Sequence, residues 1–216
     1  MSSHTLTDEW ILSYAAGSLN EGQSLLVACQ LAFHPALQRA VCDAESIGGI
    51  LLEDLAGADV APDAFDRLLA RLDQAGSVAE SFDKAPRHVE DMPDPLAAYI
   101  GGGYDTLRWR LLGPGLRQAL LWTGPQREKA WLLRGEGARV IPEHGHSGEE
   151  WTLVLKGAYE ARGERFVAGD IEMADPSVHH MPALDPSEEC ICLAYTSGRI
   201  QPKSPLVRLM QPFIGL

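Results

Sequence analysis

Two histidines, His144 and His146, stand one residue apart, with Glu150 four residues beyond the second and His179-His180 thirty residues further on. Side chains two positions apart on a strand point to the same face. His144 and His146 can therefore share a face, Glu150 can close on them from the next strand, and a later histidine can supply a fourth corner. A His/His/Glu/His set is a nitrogen–oxygen donor group suited to zinc, iron, manganese or nickel. Glu149 is the alternative carboxylate, but a one-residue slip turns a strand side chain to the opposite face.

This stretch lies in a half of the chain built from short apolar runs. Trp109–Leu112, Gln118–Trp122, Ala130–Leu133, Arg139–Ile141, Trp151–Lys156, Tyr159–Arg162, Ile171–Met173 and Glu189–Tyr195 read as strands. Turns at Gly113-Pro114-Gly115, Gly124-Pro125, Gly135-Glu136-Gly137, Gly157 and Gly163 separate them. Strands at this spacing predict an all-β sandwich or barrel. Cys190 and Cys192 alternate on the last strand and face one side, as core residues or as thiols near the metal site.

The first half reads differently. Trp10, Ile11, Tyr14 and Ala15 recur at helical spacing over Thr7–Ala16, with Gly17 as a stop. A second helix covers Asn20–Phe33, with Asn20 as N-cap. A third runs from Pro35 to Leu55 with Leu37, Val41, Ile47, Leu51 and Leu55 on one side, and Gly48-Gly49 weakens its middle. A fourth opens at Pro62-Asp63 and carries Phe65, Leu68, Leu69 and Leu72. Short amphipathic helices must bury these faces together or against a partner. From Gly76 to Pro95 the pattern lapses into Pro, Gly and charge, which reads as a linker. Cys29 and Cys42 are expected as small buried residues.

The division is therefore a helical domain over 1–75, a linker over 76–104, a β domain over 105–197 and a tail over 198–216. The tail is too apolar to lie in water. It should pack on the β domain or at a contact between two copies of the chain, a homodimer.

With 45% hydrophobic residues over 216 positions, the chain can fill a real core. Its formal net charge of −12 disfavours direct contact with nucleic acid or an anionic membrane. Up to Ala85 there are 13 acidic against 4 basic residues, a net of −9 that leaves −3 for the rest. An acidic helical half suits a basic protein surface. No apolar run reaches the ~18 residues of a membrane span, and no signal-peptide pattern opens the sequence, so a cytoplasmic location with reduced cysteines is expected.

The run His4…Trp10-Ile11-Leu12-Ser13-Tyr14-Ala15-Ala16-Gly17-Ser18-Leu19…Ser24-Leu25-Leu26-Val27-Ala28 resembles the ChrR-type anti-sigma factors. In that family a helical domain clamps an extracytoplasmic-function sigma factor and a metal-binding cupin, a β jelly roll, follows. The stretch Gly137…His144-Gly145-His146…Glu150…Gly157 is similar to the first cupin motif, with one extra residue between Gly137 and His144. Gly169-Asp170 to His180 is similar to the second. The resemblance covers nearly the whole chain. It implies an α+β, two-domain fold with one divalent metal, zinc first, on His144, His146, Glu150 and His180. His180 rather than His179 falls thirty residues after the glutamate.

The same family usually holds a second zinc in the helical domain, through an early histidine plus His-x-x-x-Cys-x-x-Cys. Here His4 matches, but Gln30, His34 and Leu37 stand at the triplet, and Gln30 and Leu37 cannot replace an imidazole and a thiolate. No zinc is expected there. The implied function is sequestration of a sigma factor, with the cupin sensing singlet oxygen or related oxidants. The competing reading is a cupin metalloenzyme of dioxygenase or isomerase type, which uses the same ligand set. A third is a cupin scaffold with a purely structural metal.

Overall fold

A computed structural model describes residues 4–74 and 89–203. Among the described residues four helices come first: α1 (Asp8–Ala15), α2 (Glu21–Phe33), α3 (Pro35–Glu53) and α4 (Ala64–Gln74). Asn20 caps α2 in a full capping box: its side chain accepts from the Gln23 N–H, and the Gln23 side chain accepts from the Asn20 N–H. Helix α3 runs unbroken through Gly48-Gly49. A fifth helix, α5 (Asp94–Ile100), lies within the stretch expected as linker, and it buries Leu96 and Ala97. The linker reading is thereby corrected: Pro93 and Pro95 sit at a helix start, where the missing N–H costs nothing. Residues 75–88 and the tail from 204 lie outside the described residues.

Eleven strands follow: β1 (Arg110–Gly113), β2 (Leu116–Thr123), β3 (Lys129–Gly135), β4 (His144–His146), β5 (Glu150–Lys156), β6 (Ala158–Ala161), β7 (Glu164–Val167), β8 (Ile171–Ala174), β9 (Ala183–Leu184), β10 (Cys190–Thr196) and β11 (Ile200–Pro202). Six pair in the order β1-β2-β3-β10-β5-β8, while β7-β6-β9 and β11-β4 form two smaller antiparallel sets. Arg139–Ile141, expected as a strand, contributes one isolated bridge from Val140 to Ala183.

The central strands of the large sheet are buried on both faces. On β10, Ile191, Leu193 and Tyr195 join the core shared with the helices, while Cys190, Cys192 and Ala194 face the interior of the β domain. On β5, Trp151, Leu153 and Leu155 take the helix side, and Val154 takes the other. Period-two alternation with both faces covered makes these strands read as continuous apolar runs.

The helices therefore share one core with the β domain. Leu25, Leu26, Val27, Cys29 and Leu31 of α2 are buried in it. The Trp10 ring meets Trp151 edge-on at 4.2 Å, and Asn20 Nδ2 donates to the Tyr195 hydroxyl at 2.8 Å. Gly22 lets α2 approach this closely, since a Cβ there would stand 2.8 Å from Trp122. In contrast, Cys42 is exposed rather than buried. The far end of α3 and the whole apolar stripe of α4 also face outwards, including Ile47, Leu51, Leu55, Phe65, Leu68, Leu69 and Leu72.

Candidate metal centre

The six-stranded sheet presents Glu150 and Thr152 on its inner face, in phase with Val154. Strand β4 crosses opposite and carries His144 and His146. His180, between β8 and β9, is held to β4 by two backbone hydrogen bonds: the His144 N–H donates to His180 O at 3.1 Å, and the His180 N–H donates to His144 O at 3.0 Å. All four side chains are buried, and one ligand atom of each lies within 4.8 Å of the others. The structure thus assembles His144, His146, Glu150 and His180. His179 does not join them, and its ring packs against Gly145. Glu149 is a position off the inner face, and its backbone bonds to Ser197.

The geometry fits an ion. His144 Nδ1 donates to Pro142 O at 2.9 Å and His180 Nδ1 to Glu172 Oε1 at 3.0 Å, which leaves each Nε2 as the free donor atom. These Nε2 atoms are 3.0 Å apart, and His146 Nε2 is 3.2 Å from that of His180. Tetrahedral ligands at ~2.0–2.1 Å from zinc would stand roughly 3.3 Å from one another. Glu150 Oε2 is a buried oxygen without a hydrogen-bond donor. It lies 3.0 Å from His146 Nδ1, but not in hydrogen-bond alignment. An unpartnered buried carboxylate oxygen is costly unless a cation completes it.

The electrostatics agree. Burial pushes Glu150 up to about 7 and holds His144 down to about 4 and His146 to about 3. The two imidazoles are thus neutral, as metal ligation requires. Burial also works against a charged His180, but the hydrogen bond and charge of Glu172 outweigh it and its pKa is raised.

Glu172 is the supporting residue that sequence reasoning missed. It is buried on β8 and accepts from the Tyr159 hydroxyl at 2.8 Å and from Arg162 Nε at 3.2 Å while holding His180. A carboxylate that fixes a ligand histidine's tautomer and ring orientation is the usual support of such a site. Its trace in the sequence is a lone acid between Ile171 and Met173 on an apolar strand.

Cys190 and Cys192 lie on the same inner face with their sulfurs 3.7 Å apart. The hydrogen bond shared with Cys190, then burial, pushes the Cys192 thiol well above its ordinary range. Cys192 thus sits as a neutral thiol, and both side chains are buried in the core.

At the other end of the molecule, Gln30 is fully buried. Its Oε1 accepts from the Leu6 N–H at 3.1 Å, and its Nε2 donates to His4 O at 3.2 Å and Gly169 O at 3.1 Å. His34 Nε2 donates to the same Gly169 oxygen at 2.8 Å, and Leu37 packs at the edge of the core. The His4 ring lies 4.3 Å from that of Phe166 and bonds Glu164. Gln30, His34 and His4 thereby tie the helices to the turn before β8.

Comparison with known proteins places this architecture. Residues 100–198 match the ChrR cupin-like domain. Over 214 residues, 99% of this chain and 98% of the relative, the sequence is 39% identical to the anti-sigma-E factor ChrR of Cereibacter sphaeroides. The chain belongs to the ChrR family. Among solved structures, it is similar to ChrR in the crystal structure of Rhodobacter sphaeroides SigE in complex with the anti-sigma ChrR. The TM-score is 0.77 at 37% identity, over 89% of this chain and 98% of that one. The α+β arrangement, helices followed by a cupin, is that of the ChrR family. No described helix is long and apolar enough to cross a membrane.

Proposed function

We propose that this chain is an anti-sigma factor. Its helical half sequesters an extracytoplasmic-function sigma factor, and its cupin senses oxidative stress of the singlet-oxygen type through one bound metal. The observation that carries this reading is the outward apolar face at the end of α3 and along α4. Phe65 is 68% exposed, Leu68 53% and Leu72 62%. A patch of this kind marks a partner surface. Asp63, just before α4, and Asp66 stand beside Arg67 and Arg71 of the helix, with Asp63 paired to Arg67 at 3.5 Å, so the fitting partner is an apolar surface. The full-length match to a ChrR seen with SigE supports the same reading.

In the cupin, His144, His146, Glu150 and His180 hold the ion, with zinc the first choice for a buried three-histidine, one-carboxylate set. These residues come from β4, β5 and the segment before β9, so a bound ion would be held from three parts of the chain and would offset the Glu150 charge. Glu172 keeps His180 turned towards it. A change at this site acts on sigma binding only as far as it changes the free energy of one bound state against the other.

Two measurements test the proposal. Co-expression with the sigma factor encoded beside the gene should give a stable 1:1 complex, and Leu68→Glu with Phe65→Glu should abolish it. An intact complex with the double variant would sink the docking face. Metal analysis should find about one ion per chain, from a single four-ligand set, lost in His144→Ala and in His180→Ala. Two ions per chain would show that the helical half also holds zinc.

A further inference from the structure

The cupin holds a partly open cavity of about 80 Å³ that opens directly onto His144, Glu150 and His180. Its remaining wall is apolar: Leu112, Trp131, Leu133, Ile141, Leu184 and Ala194 supply most of it. We propose that this cavity binds a small, mostly apolar molecule with a single oxygen-donor head of the monocarboxylate type, seated head-first on the metal-site residues. The proposal rests on the metal reading above.

Three observations select this class. First, the polar atoms of the wall are already engaged. Thr152 Oγ1 donates to Glu150 at 3.1 Å and the Tyr159 hydroxyl to Glu172 at 2.8 Å, while Glu172 also serves His180 and Arg162. Second, the described residues that line the cavity include no Lys, Arg, Asn, Gln or Ser. A sugar, nucleotide or dicarboxylate would leave its polar groups buried and unpaired there, which is costly. Third, a divalent ion held by three neutral imidazoles and Glu150 leaves one positive charge, with the Glu172 carboxylate in the same wall offset by Arg162 at 3.2 Å; a single anionic head balances that charge and an ammonium head would oppose it. A concave, mostly apolar lining with a few polar groups at the metal-site residues has the usual build of a small-molecule site.

The test uses the full chain loaded with Co²⁺, whose visible bands report on the ligand shell, titrated with acetate, butyrate, hexanoate, octanoate and benzoate. The bands should shift and saturate, with affinity rising up to about fourfold per added methylene until the cavity is full. Hexylamine and glucose should cause no shift. Ala194→Phe should keep one metal per chain and flatten the chain-length series. If that variant does not fold, Ile141→Trp at the wall carries the same comparison.

The results separate the two readings. No cobalt uptake would overturn the metal reading and this one with it. Uptake without a chain-length dependence, or with an unchanged series in the filled variant, would overturn this proposal alone. Equal binding of hexylamine and hexanoate would overturn the anionic head.

Discussion

Gln30→Glu changes one buried NH₂ into an oxygen at nearly constant shape, so its effect isolates the junction between helices and cupin from packing. The new side chain can still accept from the Leu6 N–H, now at 3.1 Å from Oε1. It can no longer donate to His4 O and Gly169 O, and it turns an oxygen towards both. Those two carbonyls are not orphaned. His4 O keeps the Ile171 N–H at 2.8 Å, and Gly169 O keeps His34 Nε2 at 2.8 Å. Two lost hydrogen bonds at ~0.5–1.5 kcal/mol each give about 2 kcal/mol. Burying an uncompensated carboxylate brings the total at pH 8 to about 3–5 kcal/mol.

The pH dependence is diagnostic of that charge. A carboxyl whose folded pKa is raised above its unfolded ~4.3 favours the folded state below the unfolded pKa and loses that contribution as pH rises through the folded one. The Gln30→Glu deficit should therefore shrink between pH 8 and pH 5, as the protonated acid regains one donor. Gln30→Leu carries no titrating group, and its deficit should be flat over the same window. Urea unfolding of parent and both variants at the two pH values measures this. His34 shares the Gly169 acceptor, so the comparison is repeated in a His34→Gln background to separate the two side chains. A Gln30→Glu chain as stable as the parent at pH 8 would refute the reasoning, as would a deficit that does not change with pH.

Further outcomes follow from the metal centre. Glu172→Gln should weaken metal binding by about 10–100-fold, since it loosens the support of His180 without removing a ligand; chelator competition reads this directly. Glu150→Gln removes a ligand charge and should weaken binding more than Glu172→Gln in the same assay. Metal affinity of the parent should climb from pH 5 to pH 8. His144 and His146, held at about 4 and 3, are already neutral there, whereas Glu150, at about 7, and the raised His180 must still shed protons. A flat profile would show that these two do not ligate. Gly157→Ala should destabilise the cupin, because φ is +72° and the backbone of Glu189 and Cys190 leaves no room for a Cβ; a drop in thermal midpoint checks it.

Much of the centre was legible because its information is local. The spacing of His144, His146 and Glu150 places them by strand parity alone, and the β segments announced themselves by short apolar runs between glycines. The helices were legible for the same reason, down to the Asn20 cap. The division into a helical unit, a linker and a β unit was less so. Nothing in the periodicity of Trp10 or Gly22 says that they meet Trp151 and Trp122, and α5 hides behind two prolines that read as a break.

By itself, then, the sequence determined most of the helical and strand segments and which histidines and carboxylate can meet. These follow from side-chain chemistry and from periods of 2 and 3.6, which act over a few residues. Only the tertiary structure decided what else those residues do. It set Glu172 behind His180, sent α4 outward, and seated Gln30 on Gly169, 139 positions away. Such pairings depend on how separately formed elements bury their faces together. The hydrophobic effect that drives this burial is non-directional, so partner identity emerges only when the whole core is packed.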